Sequence, residues 1–181
     1  MPIGLLPKAA PGGRPCDREA RRVLGSPRRN SVFSPPARAA LAATDYRDAI
    51  ARNGAGMSRQ AYNLLAKIRA VDTAMTPAQQ RHVFEGHPEL AFLRLAGAGI
   101  KEPKRCADGA AIRRGLLERV LEQDLDPAAV RRRLGRGAVA ADDVLDAAAL
   151  TLTACHIQAH TAHRTGGDET DERGLEMAIR Y

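Results

Sequence analysis

Two groups of acidic residues have the types and spacing to do chemistry. In Phe84-Glu85-Gly86-His87-Pro88-Glu89, Glu85 closes a predicted strand, the edge at which α/β sheets place their ligand sites. A carboxylate there is costly to desolvate unless something uses it. Glu89 falls in the first turn of the next helix and serves equally as a complement to the helix dipole, with His87 packing at the strand end. In Asp142-Asp143-Val144-Leu145-Asp146, Asp143 and Asp146 are three apart and share a face of the predicted helix. Two close carboxylates repel unless a cation or a proton intervenes. Asp142 and Asp143 are also explained as dipole-complementing first-turn residues. Asp146 lies deeper, in a helix whose Leu145, Ala148, Leu152 and Cys155 face a core. Together with Glu85 these residues supply the hard oxygen ligands of a divalent-metal site, suited to Mg²⁺ or Mn²⁺ rather than zinc.

Other constellations are weaker. His156, His160 and His163 are spaced four and three apart, as a transition-metal site or simply a polar helix face would have them. Ser58, Cys106 and the Gly54–Gly56 pair have no partners at diagnostic spacing. There is no P-loop, no Gly-X-Ser-X-Gly elbow and no dinucleotide fingerprint. Cys16, Cys106 and Cys155 are too scattered for a disulfide framework or a zinc ribbon, which points to a reducing compartment, the cytoplasm. No apolar run approaches the roughly 20 residues of a membrane helix. With three Phe, three Tyr and no Trp, aromatic stacking is not the main mode of any nucleic-acid binding.

Elements must position these groups. The 181 residues suit one domain of ordinary size. Pro2–Leu6 reads as the tail of a buried strand, ended by Pro7 and Pro11-Gly12-Gly13. Asp17–Leu24 reads as a short helix. Ser34 and Pro35 open another that reaches Arg52 and stops at Asn53-Gly54. Ser58 caps the next, on which Ala61, Leu64, Leu65, Ile68 and Val71 keep the helical period up to Thr76-Pro77. A strand at His82–Glu85, a helix from Pro88 to Leu95 and a basic loop at Lys101–Arg105 follow. Ile112, Leu116, Leu117, Val120 and Leu121 mark a further helix. The longest runs from about Ala140 to His163, then an acidic linker leads to a strand at Leu175–Tyr181. The class is α/β, dominated by helices and short of strands.

The positive charge is uneven. The formal net charge is +7, and most of it lies in residues 1–38, where Lys8, Arg14, Arg18, Arg21, Arg22, Arg28, Arg29 and Arg38 face only Asp17 and Glu19. Arginine grips phosphate bidentately. The segment reads either as the footprint of a phosphate-bearing partner or as a solvated amphipathic stretch.

At these residues the chain resembles a known family. The motifs are Pro2-Ile-Gly-Leu5, Arg14-Pro-Cys-Asp17-Arg-Glu-Ala-Arg21, Ser31-Val-Phe-Ser-Pro-Pro-Ala-Arg38, Ser58-Arg-Gln-Ala-Tyr-Asn63-Leu-Leu-Ala-Lys67-Ile-Arg69, Glu85-Gly-His-Pro-Glu89 and Asp142-Asp-Val-Leu-Asp146-Ala. In this order they resemble the domain of unknown function family 429, described as predicted nucleases with the ribonuclease H fold. The likeness covers nearly the whole chain and implies a ribonuclease H-like mixed sheet flanked by helices. It also implies metal-dependent cleavage of phosphodiester bonds, with Mg²⁺ or Mn²⁺ as cofactor and a nucleic acid, DNA or RNA, as partner. On the family's pattern Glu85 is a strand ligand and Asp143 and Asp146 are helix ligands, with Asp142 as a substitute for Asp143. Arg14, Arg38, Lys67 and Arg69 are the matching basic positions for phosphates. Such a warrant for function is one of association.

Family members also carry a first strand with an Asp-Gly pair, and an Asp directly before the Pro-Ile-Gly-Leu segment, where this chain has Met1. The expectation is a start set too late, or else a truncated product with a damaged site. A complete two-metal site cannot be assembled from these residues alone. The rival expectation is a non-catalytic nucleic-acid-binding or scaffolding protein that kept the fold and lost the metal; a third is an enzyme acting on a small phosphorylated molecule, since related folds also host nucleotide-handling enzymes.

Overall fold

Helix boundaries in this chain follow its local chemistry closely. The computed structural model describes residues 1–135 and 137–181. Helix α1 (Pro15–Leu24) starts on a proline, whose fixed φ suits a first turn. Helix α2 (Tyr46–Asn53) begins where the Asp45 side chain accepts the backbone N–H of Asp48, and ends at Gly54 in the left-handed conformation. Helix α3 (Arg59–Ala74) is capped by Ser58. Helices α4 (Pro88–Ala96), α5 (Ala107–Leu121) and α6 (Pro127–Leu134) follow, then α7 (Ala141–Gln158) and the strands β1 (Arg164–Thr170) and β2 (Glu176–Arg180).

The chain is a mixture of helix and sheet in which helix dominates. Among the described residues the sheet has two antiparallel strands, with Thr165 opposite Ile179 and Gly166 opposite Ala178. Its register slips between Gly166 and Thr170. Gly166 has φ +67°, and a Cβ there would stand 2.6 Å from the Cβ of Cys16, so only glycine fits.

Two units are distinguishable. The first comprises Met1–Arg22, Asn30–Glu85 and Arg164–Arg180. Its core gathers Leu5, Ala40, Leu41, Ala49, Leu65 and Ile68, with Ile3, Met75 and Leu175 in a second cluster. The second comprises Val23–Arg29, Gly86–His163 and Tyr181. Here α7 packs on α4, α5 and α6, around Phe92, Leu117, Leu145 and Ala149.

Several elements differ from the sequence reading. Pro2–Leu6 is buried but is not a strand; the N–H groups of Ile3 and Leu5 are accepted by the carboxylates of Glu85 and Asp171 instead of by a neighbouring strand. No helix starts at Ser34. A short 3-10 turn occupies Arg38–Ala42 and α2 opens only at Tyr46, because Pro36 disfavours a helical Pro35 and Ala37 is held extended, its N–H on Asn53 Oδ1 and that of Arg38 on the Leu6 carbonyl. His82–Glu85 is not a regular strand, and its one ladder-like contact is the Arg180 N–H donated to the Glu85 carbonyl. Helix α6 lies where the sequence reading placed none, and the acidic linker is β1. The long helix stops at Gln158, before His160, whose φ is +56°.

Candidate functional site

Glu85, the strand-end carboxylate of the sequence reading, meets Arg14. The Arg14 guanidinium donates to both Glu85 oxygens, Nη2 to Oε1 at 2.7 Å and Nη1 to Oε2 at 2.8 Å. It also donates to Asp17 through Nε and Nη2, and to the carbonyls of Ile3 and Gly4. All its donor nitrogens are engaged. Arg14 is 1 % exposed and Asp17 1 % exposed. Burial opposes the Arg14 charge, but Glu85 and Asp17 outweigh it and hold its pKa well above the ordinary value. Burial also pushes the adjacent Cys16 thiol up to about 12, so it stays protonated and unreactive at neutral pH.

Arg38 has a similar position in the same unit. Its guanidinium reaches Asp72 at 3.0 Å, Glu172 at 3.1 Å and Asp171. Asp171 is held low in pKa against its burial by Arg38 and by the N–H groups of Leu175, Leu5 and Arg173. Arg69 spends its Nε on the Leu41 carbonyl at 2.5 Å, and Lys67 is exposed. Of the four basic positions matched to the family, two are thus internal counter-ions, one buttresses a turn, and Lys67 faces solvent.

In the second unit the carboxylates of α7 divide. Lys104 Nζ lies 2.5 Å from Asp146 and 3.3 Å from Asp142. The pair sharing a face is therefore Asp142 with Asp146, one turn apart. Asp143 is exposed and accepts the Ala140 N–H at 3.0 Å, a helix cap. Burial raises the pKa of Asp146 against the pull of Lys104, with Glu89 and Asp142 adding to the rise. For Asp142 the ammonium wins over burial and its pKa is lowered. Glu89 is not a simple dipole complement: both its oxygens accept from Arg113 Nη2 at 2.9 Å, and both residues are buried.

Sequence reasoning missed Arg113 and Asp171. Arg113 carried a signal, since Gly109, Arg113 and Leu117 lie on one buried stripe of α5, and an arginine on such a stripe demands a partner. Asp171 carried none, being one acid among several in what read as a linker.

Among the described residues no three His, Cys, Asp or Glu side chains are grouped to hold a metal ion. Glu85 belongs to the first unit and Asp142, Asp143 and Asp146 to the second. As paired, the residues do not fit a resident Mg²⁺ or Mn²⁺: Arg14 takes both oxygens of Glu85, Lys104 one oxygen each of Asp142 and Asp146, and the helix start Asp143.

A family model described as "Protein of unknown function (DUF429)" matches residues 1–171. The chain belongs to the DUF429 family. The match takes in Arg14, Glu85, Lys104 and the α7 carboxylates, so these ion pairs sit inside the DUF429 region itself. No curated protein and no solved structure matches the chain. Among the described residues no helix is long and apolar enough to cross a membrane.

Proposed function

We propose that this DUF429 protein is a binding member of a ribonuclease H-like lineage, one that holds a phosphodiester polymer, DNA or RNA, without cutting it in the form described. The observation that carries this reading is the charge compensation of the candidate carboxylates. Glu85 is paired with Arg14, Asp142 and Asp146 share Lys104, and Glu89 is paired with Arg113. Cations built into the fold stand where a metal-dependent hydrolase needs open oxygens. In the first unit the exposed Lys8 and Lys67 can meet phosphates, as can Arg18 and Arg22, which also reach the Gly13 carbonyl and Glu19. The three free thiols suit a cytoplasmic setting.

The test is anisotropy of labelled single- and double-stranded oligonucleotides, in EDTA and in Mn²⁺, across a salt series. Binding is expected to weaken steeply with salt and to ignore EDTA. No binding at low salt overturns the reading, and so does Mn²⁺-dependent shortening of the oligonucleotide.

A second reading, the metal-dependent nuclease using Mg²⁺ or Mn²⁺, is favoured by one observation. Asp142 and Asp146 converge, and their cation is a lysine whose side chain is 32 % exposed, a flexible point charge rather than a locked fork. It requires Mn²⁺-dependent turnover that Asp146→Asn abolishes.

A further inference from the structure

The second unit contains a cleft of about 510 Å³ that borders the Lys104–Asp142 pair and opens beyond it. Its volume lies in the range of small-ligand sites, roughly 300–1,000 Å³. Helix α5 lines it with Ala107, Ala110, Ala111 and Arg114, positions i, i+3, i+4 and i+7 of one face. The opening turns of α6 and α7 supply Pro127, Ala128 and Ala141, and Leu145 adds a further apolar wall. A face built of alanines leaves a shallow apolar floor where longer side chains would fill the space.

The charge is at the rim. Lys104, Arg105 and Arg114 line the cleft against two carboxylates, Asp126 and Asp142. Both carboxylates are already occupied: Asp126 caps α6 through the Ala129 N–H, and Asp142 faces Lys104. Arg114 is held by Glu118 at 2.7 Å. Arg105 differs from its neighbours. Its side chain is 86 % exposed, and its Nε makes a loose ion pair with Asp142 at 3.7 Å, longer than a hydrogen bond. A guanidinium beside an apolar floor can take an anionic group on its outer nitrogens. The starts of α5, α6 and α7 all contribute to the lining, so the partial positive charge of three helix ends adds to the rim cations.

We infer that this cleft binds a nucleoside phosphate, with the flat base on the alanine floor and the phosphate on Arg105. The same chemistry has two sources, a free mononucleotide or the phosphorylated end of a polymer strand. Only the second source rests on the polymer-binding reading above.

The test is calorimetric titration of the full chain with AMP, and with adenosine and inorganic phosphate as separate probes. Saturable binding of AMP at one site is expected, about tenfold tighter than either fragment, since each lacks one of the two contacts. Ala111→Trp fills the floor and should abolish AMP binding. Arg105→Ala should weaken it about tenfold, the loss of one charge-assisted contact. Should Ala111→Trp fail to fold by circular dichroism, Arg105→Ala carries the test alone, because that side chain is exposed. Absence of AMP binding at millimolar concentration overturns the inference, as does phosphate binding as tightly as AMP, or Ala111→Trp or Arg105→Ala binding like the parent. Titration with a 5′-phosphorylated and an unphosphorylated oligonucleotide distinguishes the sources: preference for the phosphorylated end, lost in Arg105→Ala, assigns the polymer end, and no preference assigns the free nucleotide. Oligonucleotide binding without AMP binding removes the cleft and leaves the polymer-binding reading standing.

Discussion

The Arg14 cluster of the first unit and the Lys104 cluster of the second solve the same problem in opposite ways. Each sets one cation between two carboxylates. Around Arg14 every participant is nearly inaccessible, with side chains 2 %, 1 % and 9 % exposed for Arg14, Asp17 and Glu85. The planar fork satisfies both acids and two backbone carbonyls at once, so removing any member strands a charge in low dielectric. In the second cluster the Lys104 side chain is 32 % exposed and those of Asp142 and Asp146 14 % and 17 %. It is a single charge on a flexible stem, held without backbone contacts, and water can replace part of what it does. The difference teaches that the Glu85 carboxylate is part of the framework, whereas Asp142 and Asp146 remain chemically approachable.

That contrast is open to measurement. Arg14→Ala should produce the largest effect, a loss of about 3–5 kcal/mol in denaturant unfolding, because two buried carboxylates lose their partner. A loss under about 1 kcal/mol would erase the distinction between the clusters. Arg113→Ala, which leaves Glu89 buried alone, should cost about 3 kcal/mol by the same measurement. Lys104→Met should cost only about 1 kcal/mol at neutral pH. Its deficit should also grow with pH: Asp146 already has a raised pKa, and without the ammonium it rises further. A raised carboxyl favours the fold below its unfolded value of about 4 and loses that benefit as pH climbs through the folded value. Unfolding of Lys104→Met against the parent from about pH 4 to 7 tests this sign; a deficit that shrinks with pH contradicts it. Asp171, whose pKa is lowered, behaves oppositely. Its contribution is present above about pH 4 and lost as pH falls through the folded value, and Asp171→Asn should flatten the acid limb of the stability curve. Arg105→Ala should leave stability within about 0.5 kcal/mol, which makes it a clean probe of the cleft.

Much of the helical fold was legible in the residues. Ser58, Pro88 and Gly54 mark boundaries by local hydrogen bonding and backbone sterics, which need no tertiary information. The Ser34–Arg52 segment failed because Ala37 is held extended by a hydrogen bond to Asn53, sixteen residues on, and helix returns only after the Asp45 cap. β1 was illegible because its glycines read as a loop; they are required by the approach of Cys16 and by the register slip, facts of packing. For the site, the residue types at Glu85, Asp142 and Asp146 drew attention to the places where charge is concentrated. Their partners were another matter, since Arg14 and Glu85 are 71 residues apart and Lys104 and Asp146 are 42 apart.

The sequence by itself determined the family, the helical frame, the Arg-rich start and the acids that needed compensation, because motifs, caps, periodicity and charge are local properties. Only the tertiary structure decided which cation answers each acid, that Asp142 rather than Asp143 joins Asp146, and that Arg14 and Arg38 point inward to carboxylates. Electrostatic energy depends on distance and on burial, and chain order specifies neither.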